Sequence, residues 1–200
     1  MAIKAGRENA RLCKSARVGS VAGMSLRVIL IAAQSLDGRI TFHDVKGATF
    51  ASAADRQYFR EVLRGFDCSV MGGETFRVSE KAIRGRKDDG RLQIIMTRRS
   101  GATDPWGSVS GVLEFSRESP EKIIAGLKAR GKKRCALLGG GQIYGAFLAA
   151  GVVDEVWLTV EPRIFGAGVP LTTQAVDVKL ALLDCERLSS DTLLLKYKVT

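Results

Sequence analysis

Two hundred residues, 46% of them hydrophobic and 26% charged, suit one packed domain and exclude a disordered, collagen-like or coiled-coil chain. No apolar run approaches the ~20 residues that cross a bilayer, and a single histidine, His43, cannot build a histidine-rich metal site. The formal charge of +10 is uneven: residues 1–23 carry Lys4, Arg7, Arg11, Lys14 and Arg17 against Glu8 alone, while later cations are interspersed with acids.

In chain order, residues 1–24 read as a flexible basic extension ahead of a start at Met24, without the apolar core of a signal peptide. The domain is expected over 25–200. Leu26–Gln34 is an unbroken apolar run, the pattern of a strand covered on both faces. Asp37-Gly38 marks a turn. Ser52-Ala-Ala-Asp55 reads as a capping box opening a helix with Tyr58, Phe59, Val62 and Leu63 on one side, ended by Gly65. Cys68–Met71, Leu92–Thr97, Gly111–Phe115, Arg134–Leu138 and Glu155–Val160 read as further strands. A helix is predicted from Ser119-Pro120-Glu121 to about Arg130, and others from Glu74-Thr75 and over Ile143–Ala150. Leu180–Leu188 and Thr192–Val199 form a C-terminal antiparallel hairpin around Ser189-Ser190-Asp191. Strands alternating with helices make this an α/β domain with a mostly parallel central sheet and an antiparallel end. Cys13, Cys68, Cys135 and Cys185 form no C-x-x-C pair, which excludes zinc ribbons and thioredoxin-type motifs and fits reduced thiols of a cytoplasmic protein.

Two junctions carry the functional signal. Val70-Met71-Gly72-Gly73-Glu74-Thr75-Phe76 and Leu138-Gly139-Gly140-Gly141-Gln142-Ile143-Tyr144 each run from a strand through glycines into a helix. Helix starts there offer free N–H groups and a positive dipole end to a phosphate, and glycine lets the backbone come close. Thr97-Arg98-Arg99 ends the strand between them and could hold a further phosphate. No G-x-G-x-x-G fingerprint is present. Asp55 reads either as the fourth residue of the capping box or as a buried carboxyl able to deliver a proton. Asp37 reads as a turn residue or a ligand contact, and His43 as a surface loop residue.

The motifs Ser35-Leu36-Asp37-Gly38-Arg39-Ile40, V-M-G-G-E-T-F over 70–76, L-G-G-G-Q-I-Y over 138–144, and Val153–Val160 followed by Phe165-Gly166-Ala167-Gly168 resemble the dihydrofolate reductase-like superfamily, in the right order. Within it, the first and last are closest to the pyrimidine reductase of riboflavin biosynthesis. The resemblance implies a three-layer reductase domain and NADPH, held by Gly72, Gly73, Thr75, Gly139, Gly140, Gly141, Gln142 and Ile143, with Thr97, Arg98 and Arg99 near the 2′-phosphate. It places Ser35, Asp37, Ser52 and Arg64 at the substrate, Arg64 matching an arginine associated with the substrate phosphate. It sets Asp55 on the acidic position that dihydrofolate reductases use to protonate the pterin. Departures are Val78–Arg84 in place of a D-D-P-x-L-T-x-R segment, and Leu138 in place of a Glu. The implied activity is reduction of a 5-amino-6-(5-phosphoribosylamino)uracil-type substrate; the alternatives are a pterin reductase and a non-catalytic basic binding protein. The zinc deaminase signature of the bifunctional relatives is absent from the sequence. The resemblance also implies a homodimer, expected through the sheet edge near Leu193–Lys198, with no nucleic-acid or membrane partner and no metal.

Overall fold

The computed structural model describes residues 25–43, 45, 49–84, 90–97 and 107–200. The basic extension, Cys13, Arg98 and Arg99 lie outside them. Eight strands, β1 (Arg27–Ser35), β2 (Cys68–Gly72), β3 (Leu92–Met96), β4 (Leu113–Ser116), β5 (Arg134–Leu137), β6 (Glu155–Glu161), β7 (Leu180–Arg187) and β8 (Leu193–Val199), form one sheet in the order β4-β3-β2-β5-β1-β6-β8-β7. The pairings from β4 to β6 are parallel, and β8 runs antiparallel to both β6 and β7.

The helices are α1 (Ala53–Val62, continued by a 3₁₀ turn at Leu63–Gly65), α2 (Gly73–Arg84), α3 (Pro120–Ala129) and α4 (Gly141–Ala149). Alternation along β1 sorts them into two layers. Val28 and Leu30 face Ile123, Ile124 and Leu127 of α3 and Tyr144, Phe147 and Leu148 of α4. Ile29 and Ile31 face Phe59, Val62 and Leu63 at the other side. Phe76 and Ile83 of α2 pack with Met71 and Ile95 in that same outer layer. Both faces of the central strands are covered, which is why they read as continuous apolar runs rather than alternating ones.

Two expectations change. Leu193–Lys198 is not a sheet edge: β8 is enclosed between β6 and β7, and β7 is the outer strand. The capping box at Ser52 forms only by half. Ser52 Oγ accepts from the Asp55 N–H at 3.1 Å, but the Ser52 N–H donates to Glu161 Oε1 at 2.8 Å. A full box uses Glu or Gln at the third helical position, and the shorter Asp55 turns inward instead.

Candidate functional site

Because β1 to β6 run in one direction, Ser35, Gly72, Met96, Leu137 and Glu161 end on a common rim, and every loop that leaves it starts there. Both glycine junctions meet on this rim. The Gly72 N–H donates to the Gly139 carbonyl at 2.7 Å, tying the start of α2 to the turn before α4. A Cβ on Gly72 would lie 3.1 Å from Ile143 Cγ1, one on Gly73 3.5 Å from Thr97 Oγ1, and one on Gly140 3.6 Å from Thr75 Oγ1. Gly72, Gly73, Thr75, Thr97, Gly139, Gly140 and Ile143 therefore form one cluster. The peptide bond between Gly139 and Gly140 is cis.

Two helix starts converge on this cluster, α2 at Gly73 and α4 at Gly141, with Gly140 as the α4 N-cap and no side-chain cap there. The first N–H groups of a helix have no partner within it. Here they sit beside two threonine hydroxyls and a backbone free of Cβ atoms, a combination that fits a phosphate. Gly141 has a second reason to be glycine: a Cβ would lie 2.7 Å from the Pro170 carbonyl oxygen. Gln142 is exposed on α4.

A second group lies across the rim, between β1, β6 and α1. Asp55, 8% exposed, is hydrogen-bonded by the Thr159 hydroxyl. Burial raises its pKa above the ordinary carboxylate value, the Thr159 bond opposes that rise, and the nearby Glu161 carboxyl adds to it. Glu161 is itself 2% exposed and accepts from the Ser52 N–H and, at 3.2 Å, from the Thr192 hydroxyl. Asp55 is thus a buried acid rather than a cap.

Ser35 and Asp37 are engaged internally. The buried Ser35 hydroxyl donates to Asp37 Oδ1 at 2.5 Å and accepts from the Arg39 N–H at 3.0 Å. Asp37 also accepts from the Phe165 and Gly166 N–H groups at 3.1 and 2.7 Å. The Ser35 bond, with these backbone bonds, holds the Asp37 carboxyl down to about 2. The pair therefore clamps the loop after β1 to the loop after β6. His43 lies in the same place, stacked on Phe42 at 4.4 Å with Nε2 3.2 Å from the Phe165 carbonyl oxygen.

Arg64 is not brought to the rim. It follows the last turn of α1, which runs opposite to the strands, and Gly65 beside it lies against Arg134 at the start of β5. Helix geometry sets it about 13 Å from Asp55. The cations that the fold does place near the clamp are Arg39, whose Nε is buried without a hydrogen-bond partner among the described residues, and Arg163, 5.0 Å from the Phe165 ring. Those two, with Thr159 and Glu161, were missed in sequence. For Thr159 and Glu161 the signal was polar side chains late in an otherwise apolar strand; Arg39 and Arg163 lie in the loops after β1 and β6, where nothing local marks them. A separate crevice of about 350 Å³ between β4 and α3, lined by Ile94, Ile123, Arg117 and Lys122 among others, shares no residue with the glycine cluster.

Comparison with solved structures matches this architecture. A riboflavin biosynthesis protein from Shewanella sp. PV-4 superposes with a TM-score of 0.67 at 20% identity, over 88% of this chain and 99% of its own. A diaminohydroxyphosphoribosylaminopyrimidine deaminase/5-amino-6-(5-phosphoribosylamino)uracil reductase from Thermotoga maritima gives 0.71 at 20% identity, over 88% of this chain and 57% of its own length. A pyrimidine reductase-like protein from Corynebacterium diphtheriae gives 0.65 at 18% identity, over 88% and 92%. No curated protein sequence matches. The family model described as the RibD C-terminal domain matches residues 27–194, from the first residue of β1 into β8, so both glycine turns, the clamp and the buried acid all fall inside it, and the chain belongs to that family.

Proposed function

We propose that this chain is an NADPH-dependent reductase of riboflavin biosynthesis, acting on a 5-amino-6-(5-phosphoribosylamino)uracil-type substrate to give the ribitylamino compound. The observation that carries the reading is the meeting of two glycine junctions, two helix starts and two threonine hydroxyls in one cluster. Gly72, Gly73 and Thr75, with Gly139, Gly140, Gly141, Gln142 and Ile143, would hold the phosphates through N–H groups and hydroxyls. Thr97, Arg98 and Arg99 would take the adenosine 2′-phosphate. When bound, NADPH supplies a hydride for C1′ of the ribosylamino group. The chain's own contribution is position and charge. The Ser35–Asp37 clamp fixes the wall of the site, Arg39 and Arg163 supply positive charge for a substrate phosphate in place of Arg64, and Asp55 holds a proton. That proton also supports a second reading, reduction of dihydrofolate or another pterin.

NADPH should raise the melting temperature by mass action, adding about 2.7 kcal/mol at a hundred times its dissociation constant. Replacing Arg98 and Arg99 by Ala should weaken NADPH more than NADH, because only NADPH carries the 2′-phosphate. No thermal shift with either nucleotide would end the reductase reading. Rates of NADPH oxidation with the phosphoribosylaminouracil and with dihydrofolate separate the two substrate classes.

A further inference from the structure

We propose that Glu161 is the positioning residue for Asp55: anchored at both oxygens, it fixes the first turn of α1 over β6 and sets a second buried carboxyl beside the Asp55 side chain. Glu161 joins three elements, through its own place at the end of β6, the Ser52 N–H at the α1 N-cap, and the Thr192 hydroxyl just before β8. Two donors from different elements hold the Glu161 side chain in place, whereas the side-chain donor to Asp55 is the Thr159 hydroxyl. A second carboxyl set beside a buried one makes ionisation of the first more costly, so Glu161 adds to the rise that burial imposes on Asp55. The other groups around Asp55 are Arg56 and Tyr58 on its own helix. Glu186 and Asp184 of β7 and Arg134 of β5 act on Tyr58.

The use of that proton rests on the proposed reductase activity; the pairing does not. The test is carbon-13 NMR titration of Asp-labelled, ligand-free full-length protein, with Asp55→Asn identifying the signal. Asp55 should titrate above the ordinary carboxylate range. In Glu161→Gln its midpoint should fall by about one pH unit, as for the loss of a neighbouring like charge. Gln still accepts from Ser52, so the helix start is retained. Thr192→Val removes one anchor of Glu161, loosens its place beside Asp55, and should move the Asp55 midpoint in the same direction by less, a second route should Glu161→Gln not fold. In turnover, the pH at which kcat declines on the alkaline side should move down with the midpoint. An Asp55 midpoint unmoved in both variants overturns the proposal, whatever happens to the melting temperature. A moved midpoint with neither substrate class reduced upholds the pairing and removes the reductase reading.

Discussion

Asp37 shows how much one exposed carboxylate can organise. Its two oxygens receive the Ser35 hydroxyl and the N–H groups of Phe165 and Gly166, joining loops that leave neighbouring strands. Charged acceptors make the stronger hydrogen bonds, so the ionised form is favoured in the folded protein over the unfolded one. Its folded value of about 2 lies below the ordinary 3.8. The stability it adds is therefore complete above the unfolded value and lost as pH falls through the interval towards the folded one. Asp37→Asn should lower the melting temperature most near neutral pH, and the gap to the native protein should close between about pH 4 and pH 2. A gap that is constant with pH, followed by circular dichroism, would show that the charge is irrelevant to the clamp. The residue-level motif S-L-D-G was legible, but its partners, some 128 residues away, were not.

At the scale of elements, α4 is held from both sides of its first turn. Gly139 and Gly140 meet α2, while Gly141 lies against the segment through Pro170 and Thr173, whose N–H donates to the Gly141 carbonyl at 3.4 Å. Gly145, one turn later, meets Gln174, which donates to its carbonyl at 3.1 Å. Gly141→Ala forces a Cβ against a backbone oxygen, which cannot move as a side chain can, and should cost about 1–3 kcal/mol in urea unfolding. Gly126 of α3 has open space at its Cβ. Gly126→Ala should instead be neutral or stabilising by a few tenths of a kcal/mol, because alanine is the better helix former. Equal effects at the two positions would contradict the packing role of Gly141. The run Gly139-Gly140-Gly141 announced a turn into a helix, yet nothing local separates the glycines that line the rim from the one that admits a distant strand of chain.

For the whole molecule, the sheet order leaves β7 and β4 as outer strands. On β7, Leu180, Leu182 and Leu183 are 44%, 58% and 46% exposed, an apolar border on a strand with unpaired backbone groups. Such edges pair unless they are guarded. We expect a symmetric dimer through β7 rather than β8, with Leu182→Lys shifting the mass by light scattering towards the monomer. A monomeric native protein at micromolar concentration would contradict this. Among the described residues no helix is long and apolar enough to cross a membrane.

The elements and their class were legible in the local sequence. Continuous apolar runs mark strands covered on both faces, capping residues mark α1 and α3, and glycines mark the two strand-to-helix junctions, because these are contests between local backbone states that a few neighbouring side chains decide. The sequence also named every residue of the glycine cluster. Tertiary structure decided what adjacency alone could. It chose the order of strands, which encloses β8 and exposes β7. It decided between the two open readings of Asp55 in favour of a buried acid, because the Ser52 N–H bonds to Glu161 and leaves the Asp55 carboxyl to turn inward. It separated Arg64 from the rim, because the direction of α1 carries that residue to the opposite end of the strands. Each outcome depends on contacts between segments tens of residues or more apart, whose energies are set by packing and burial and not by the chain's local preferences.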